Sequence, residues 1–506
     1  MRGPPKAAPA MIAVADDHPY NLADHGHAGT DIGGFGVRTA GSAPAPLADA
    51  EQPPARPRTI WWVVSPLTVV AAGLLVFVWF SSLSKAAHKG IPSSYPPIYG
   101  AYQPSFSSWG WFAVAAALVA AGLAFLFARN RWHRAAWVIP IVVAILFSFG
   151  ASLAIVNGNP GEFVSPLTRT TAHYGDYQAD VPKVRALGVR GFVEAFPKLL
   201  KEQGGLITAH ARTHPPGTEV LLSVLQSRFP KHLIPRALFI ALFSCLILIP
   251  TWFIARAFAG ERAALITVFL LGVAPAPGVF IFLNLDAFHA TLLVGSAALL
   301  AWGLTRKESH WVVVLVGGAL LGFTSFFSYQ VMFVAGFAVL YAFVARPWKD
   351  AVRLLVIAGI GGLIALGILR VAVGFNLYAS FAAARTVIPR SNRVFSYWFF
   401  GDPAVWLIFA GLPIAAFSLR ELFTKRPAWL VAFLLPLLLA DFTRIFLGET
   451  ERVGQFAAPF IAAAAGAALV RWERESGRDR PGVIAGLVLL TAAQAIVIEA
   501  LFWTVW

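Results

Sequence analysis

Apolar residues in this chain do not alternate with polar ones. They come in long runs separated by short charged stretches. Runs at about 60–82, 111–128, 135–156, 236–256, 263–283, 287–304, 311–326, 329–345, 351–373, 403–418, 427–446, 454–471 and 482–504 are each long enough to cross, or nearly cross, a bilayer's hydrocarbon core. The pattern predicts an all-α polytopic membrane protein with about thirteen transmembrane helices, the two short runs in 311–345 being able to merge into one.

Two segments depart from this rhythm. Residues 1–58 are rich in Ala, Pro, Gly, Asp and His without an apolar period, and predict a disordered tail in which His18, His25 and His27 are solvated. The first apolar run begins near Ile60, too far in for a cleavable signal peptide, so none is expected. Residues 157–235 form a long loop between the third and fourth runs, and here structure is expected. Val189, Phe192, Val193, Phe196, Leu199 and Leu200 share one helical face, with Arg190, Glu194, Lys198 and Lys201 opposite. Pro197 is expected to interrupt or divide that helix. A second short helix over Thr218–Arg228, opened by Pro215-Pro216, carries Val220, Leu221, Val224 and Leu225 on one face. Both helices are expected to lie on the membrane surface. The implied domain order is a tail (1–58), two additional N-terminal transmembrane helices (59–134) and a catalytic transmembrane core (135–506) bearing the 157–235 loop.

Composition excludes the soluble alternative. With 58% hydrophobic and 13% charged residues, the chain lacks the polar surface a water-soluble domain of 506 residues needs. The net charge of +15 reads as positive-inside bias. Arg56 and Arg58, Arg129 to Arg134, Arg256 and Arg262, Arg306 and Lys307, Arg346 and Lys349, Arg420 to Arg426, and Arg471 to Arg480 occupy every second loop. They fall on one side if the N-terminus is cytoplasmic, which puts the 157–235 loop outside. Because the basic residues are scattered through short loops, nucleic acid is not an expected partner; anionic lipid headgroups or a phosphate-bearing substrate are. The one cysteine, Cys245, excludes an internal disulfide, argues against a cysteine-ligated metal and reads as a small core residue.

The residues able to carry chemistry gather on the predicted outer side. Asp176 and Asp180 lie just beyond the third run, with Asp180-Val181-Pro182 read as ending an extended stretch that points to a helix start. A carboxylate at a membrane boundary is partly desolvated and can serve as a base, whereas a solvated loop carboxylate only shapes a turn. His214-Pro215-Pro216-Gly217 holds His214 rigidly at a helix start, with His210 and Arg212 close by. Asp286 lies in a very short outer turn, where it can cap the next helix, serve the site, or both. Glu449, Glu451 and Arg452 occupy a later outer turn, preceded by Asp441 and Arg444 at a spacing that allows pairing. Arg385, Arg390 and Arg393 precede the tenth run, and guanidinium forks suit phosphate oxygens.

In this order the motifs resemble the GT-C membrane glycosyltransferases, particularly bacterial protein-mannosyltransferase-like and aminoarabinose-transferase-like members. The elements that carry the resemblance are Asp180 (or Asp176), His214-Pro215-Pro216-Gly217, Asp286 and Gly448-Glu449-Thr450-Glu451-Arg452, and it covers about 135–305 best. The family's acidic motif is often Asp-Glu, whereas neither aspartate here precedes a Glu, so the base stays open between Asp180 and Asp176. The resemblance implies inverting transfer of a sugar from a polyprenyl-phosphate donor to a cell-envelope acceptor (a glycan, lipid or protein) on the outer face of a bacterial inner membrane. Asp180 or Asp176 is then catalytic, and His214, Asp286, His210, Arg212, Glu449, Glu451, Arg452, Arg390 and Arg393 bind substrate. The sequence identifies no cofactor; a divalent cation is compatible with the residues, and nothing in the sequence calls for one. The competing reading is a transporter or flippase of a lipid-linked or anionic substrate, against which stand the absence of a clear internal repeat and the clustering of polar residues on one face. A structural or assembly role without chemistry fits the long structured loop less well.

Overall fold

The computed structural model describes residues 59–87, 98, 101–129, 138–157, 175–202, 207–208, 211–282, 284–306, 310–387, 394–444 and 450–503. The expected N-terminal tail lies outside these residues. Within them the architecture is all-helical apart from a two-residue antiparallel pairing of Ala101–Tyr102 with Phe502–Trp503.

Among the described residues, eight helices are long and apolar enough to cross a membrane: Trp61–Ser82, Gly110–Arg129, Val138–Ile155, Leu233–Ala259, Asp286–Thr305, Trp348–Val373, Gln455–Ser476 and Pro481–Leu501. Many present large apolar side chains outward, among them Trp61, Leu75, Trp111, Phe112, Leu363 and Val371. In water that surface would drive aggregation; in hydrocarbon it is ordinary. The chain is a multi-pass membrane protein.

Five of the about thirteen expected spans take another form among the described residues. The 263–283 run is broken: Glu261–Gly272 ends, Ala274 is extended, and a separate short helix starts at Pro275. A residue before proline is driven from helical to extended backbone, which accounts for the break. The 403–418 run belongs to two helices, Phe395–Ala410 and Leu412–Lys425, bent by 119° about Gly411. Gly411 has φ of 99°, a conformation that glycine adopts without strain, and Pro413 fits the first turn of the second helix. Trp311–Thr324, Val331–Ala345 and Ala428–Phe442 are shorter apolar helices of 14, 15 and 15 residues.

Small residues hold neighbouring helices close. A Cβ at Gly318 would overlap the Ala358 carbonyl and one at Gly361 the Leu315 carbonyl, so Trp311–Thr324 and Trp348–Val373 meet backbone to backbone. Gly318→Ala is expected to destabilise the protein by roughly 1–3 kcal/mol through overpacking. A detergent melting curve at the wild-type temperature would contradict this packing. The two N-terminal helices join the same bundle. Trp62 stacks on Phe417 and Trp472 at 5.6 and 4.9 Å, and Gly110–Arg129 packs along Pro481–Leu501. Cys245 is free and buried, as a core residue should be.

A second apolar core lies apart from that of the bundle, and it positions the site. The helix Gly175–Lys201 buries Val181, Val184, Phe192, Val193, Phe196 and Leu200 against Leu369, Phe375, Ala383 and Ala384. The face read from the sequence is therefore the buried one, but it is covered by protein and not left for lipid. Two expectations fail here. Asp180 is helical rather than at the end of an extended stretch, because the helix begins at Gly175. The helix also runs through Pro197 and kinks instead at Gly188, where φ is 69°. The following helix, Gly217–Arg228, turns Thr218, Glu219, Leu222, Ser223 and Leu225 inward, while Val224 is exposed. Of the face expected from apolarity, Leu225 is buried and Val220 and Leu221 pack partly buried against this core, so only Val224 departs from it, and the polar Thr218, Glu219 and Ser223 are buried as well.

Candidate active site

The start of Gly217–Arg228 is fixed from two sides. Pro215 and Pro216 set the backbone, and the Gly217 N–H donates to the Phe326 carbonyl at 2.8 Å. A Cβ on Gly217 would overlap that carbonyl, so only glycine lets the helix dock on the 325–330 turn. His214 is buried just before it, with Tyr177 edge-on at 5.9 Å and the His289 ring 5.2 Å away.

Docking brings polar residues from distant parts of the chain together. Thr218 Oγ1 lies 3.0 Å from His289 Nε2. His289 Nδ1 stands 3.9 Å from Asp286 Oδ1, one helical turn away, and Asp286 Oδ2 faces Arg452 Nε at 3.2 Å. Asp286 begins its helix but does not cap it; its backbone N–H donates to Asn284 Oδ1 at 3.1 Å while its carboxylate pairs with Arg452. The cap alternative is thereby corrected. Gln455 Nε2 donates to the Arg452 carbonyl at 2.8 Å and reaches Asn284 Oδ1 at 3.4 Å, and Gln330 Nε2 donates to the Val453 carbonyl at 2.9 Å. The segment around Arg452 is thus tied to two other loops.

Asp180 sits on the neighbouring helix and is fully buried. Lys183 Nζ donates to its Oδ1 at 2.5 Å; the Thr208 N–H and Oγ1 donate to its Oδ2 at 3.0 and 2.9 Å. These donors orient the carboxylate and hold its charge. Glu219 is also fully buried. Burial pushes its carboxyl well above the usual carboxylate range, and the charge of Asp180 pushes the same way; its own backbone N–H opposes this without reversing it.

Similarities to known proteins are confined to structure. No protein-family model and no curated protein sequence matches the chain. Among solved structures it is similar to ArnT from Cupriavidus metallidurans in the apo state, with 18% identity, a TM-score of 0.41, and 57% of this chain and 56% of that one covered. It is also similar to the oligosaccharyltransferase of Archaeoglobus fulgidus. In the apo form the identity is 15%, the TM-score 0.47, and the coverage 74% of this chain and 57% of that one. In the complex with zinc and sulfate these are 16%, 0.35, and 56% and 44%. The matches span about half the length of those chains.

Of the residues nominated from sequence, Asp180, His214, Asp286 and Arg452 are each built into these contacts. Arg212 serves the backbone, its Nε donating to the Ile207 carbonyl at 2.7 Å. His210, Glu449, Arg390 and Arg393 lie outside the described residues, as do the side chains of Asp176 and Glu451. The pairing allowed for Asp441 and Arg444 does not form among the described residues. Arg444, at φ of 60°, instead places its guanidinium 4.6 Å from the Phe395 ring centre. Among the described residues no group of three or more His, Cys, Asp or Glu is arranged to hold a metal ion. Sequence reasoning missed Thr218, Glu219, His289, Lys183 and Thr208. The signal for the first two was their place directly after His-Pro-Pro-Gly. The signal for His289 was its spacing of one turn from Asp286.

Proposed function

We propose that this protein is an integral-membrane glycosyltransferase that moves a sugar from a polyprenyl-phosphate donor to a cell-envelope acceptor with inversion at the anomeric carbon. The observation that carries the reading is the oriented, buried Asp180 carboxylate, one helical turn from Tyr177, whose ring meets His214 next to the Thr218–His289–Asp286–Arg452 contacts. The acceptor oxygen, oriented or deprotonated by Asp180, forms the new bond to the anomeric carbon. The bond from that carbon to the phosphate oxygen breaks, and its electron pair leaves with the lipid phosphate. Phosphate is a good leaving group without protonation, so one carboxylate and positive charge suffice, unlike the paired carboxylates of glycosidases. Arg452 supplies that charge, and Arg390, Arg393, His210 and Arg212 assist substrate binding together with His214, Asp286, Glu449 and Glu451. Asp176 is the alternative base.

The charge alternation of the loops supports an extracytoplasmic site in a bacterial inner membrane, where lipid-linked donors and envelope acceptors meet. The polar contacts lie at helix starts and turns, which favours surface chemistry over a path strung through the bundle. The test is incubation of the purified protein with a panel of polyprenyl-phosphate sugars. Release of polyprenyl phosphate with some member of the panel supports the reading. Translocation of an intact lipid-linked sugar without bond cleavage would establish the transporter in its place.

A further inference from the structure

Glu219 and Tyr329 form an unusual pair. Neither oxygen of the Glu219 carboxyl, nor the Tyr329 hydroxyl, has a hydrogen-bond partner on another residue, and all three atoms are shut off from solvent. Buried polar groups are nearly always satisfied, so two such groups on elements docked against one another need a reason. They come from different elements that the fold takes care to join. Glu219 lies in the first turn of Gly217–Arg228, whose start is tied to the Phe326 carbonyl, and Tyr329 lies three residues further along that same turn. The Tyr329 ring is braced edge-on by Phe381 at 5.3 Å, which limits where its hydroxyl can point.

Charged and titratable neighbours approach from several sides. Asp180, with Lys183 paired to it, faces Glu219 from Gly175–Lys201; His289 adjoins through Thr218; and His214 precedes the helix. Burial, reinforced by Asp180, raises the Glu219 carboxyl well above the usual carboxylate range and so favours its neutral form. Burial likewise raises the Tyr329 hydroxyl, which stays protonated. A neutral carboxyl and a phenol together offer two O–H donors and several lone pairs. That is the chemistry that recognises neighbouring hydroxyls of a carbohydrate, and it has no use in the fold itself. Replacing Glu219 by an apolar residue of similar length would remove an unsatisfied group rather than a contact.

We propose that Glu219 and Tyr329 form a hydroxyl-binding subsite beside Asp180 that selects the carbohydrate by hydrogen bonding. The proposal rests on the glycosyltransferase reading and deepens it. The hydroxyls belong either to the sugar of the donor or to a glycan acceptor, and the experiment separates the two.

Binding of short-chain polyprenyl-phosphate hexoses, their singly deoxygenated forms and polyprenyl phosphate alone is measured on the full chain in nanodiscs, and in parallel binding of an octyl hexoside series with the same deletions. Four proteins are compared: wild type, Tyr329→Phe, Glu219→Leu and Glu219→Gln. Tyr329→Phe and Glu219→Leu are expected to weaken binding of one fully hydroxylated sugar by on the order of tenfold to a hundredfold. One deoxy form should bind wild type and both variants equally, which identifies the hydroxyl and, by the series in which it appears, its source. Glu219→Gln keeps the hydrogen-bonding capacity of a neutral carboxyl and should retain most of the affinity. Glu219→Leu should melt at or above the wild-type temperature, separating a recognition role from a structural one. Well-folded Tyr329→Phe and Glu219→Leu proteins that bind every sugar as wild type does overturn the subsite while leaving the functional reading intact. A wild-type protein that binds polyprenyl phosphate no differently with or without any sugar, and binds no hexoside, overturns both.

Discussion

Asp180→Asn is expected to lower sugar transfer by about 10²–10⁴-fold, the usual contribution of a positioned general base. Asparagine has nearly the same shape and can still accept from the Thr208 N–H and Oγ1, which hold Asp180 Oδ2 at 3.0 and 2.9 Å. It loses the negative charge that pairs with Lys183 and the ability to take a proton. Lys183 is about a third exposed, so its ammonium can turn to water and little stability should be lost. The expected signature is therefore a fall in turnover with a near-normal melting temperature and near-normal donor binding. Transfer at the wild-type rate by well-expressed Asp180→Asn protein removes Asp180 from the role and sends the same substitution to Asp176.

Arg452→Ala is expected to be the most damaging substitution for folding. Asp286 and Arg452 are each largely buried and face one another at 3.2 Å, drawn from loops more than 160 positions apart. Removing the cation leaves a buried carboxylate without its main counter-charge, a change that typically costs about 3–5 kcal/mol. Adding Asp286→Asn to Arg452→Ala should recover much of that loss, since the stranded charge is then gone. The double variant also separates structure from chemistry: if Arg452 stabilises the leaving phosphate, the recovered protein still transfers sugar poorly. Thermal unfolding in detergent and transfer assays on the three proteins check both halves. A single Arg452→Ala variant as stable as wild type would mean that the pair contributes nothing to holding these loops together.

What could be read from the sequence depended on how local its cause was. Long apolar runs are local, and the spans near 60–82, 111–128, 135–156, 236–256, 287–304, 351–373, 454–471 and 482–504 correspond to helices in the structure. The breaks at Pro275 and Gly411 were also encoded locally, but an apolar run masks them, because hydropathy sums over residues that backbone geometry separates. The buried face of Gly175–Lys201 was legible because its apolar residues keep helical spacing. That of Gly217–Arg228 was legible only in part: Val220, Leu221 and Leu225 pack on the core as their spacing suggests, but Thr218, Glu219 and Ser223 are buried with them, and a polar residue on a short helix reads as exposed until its neighbours are known. The site followed the same rule. Asp180, His214, Asp286 and Arg452 stood out as polar residues in suggestive positions, but their grouping through Thr218 and His289 depends on a helix docking on the 325–330 turn, which no local pattern announces.

The most direct test of the central claim follows the anomeric carbon. The purified protein is given a polyprenyl-phosphate hexose carrying ¹³C at that carbon, with a hexoside acceptor, and the product is read by NMR. The account predicts release of polyprenyl phosphate and a new glycosidic bond of opposite anomeric configuration, formed by wild type and nearly absent with Asp180→Asn. A product of retained configuration, or equal product from the Asp180→Asn protein, would contradict it.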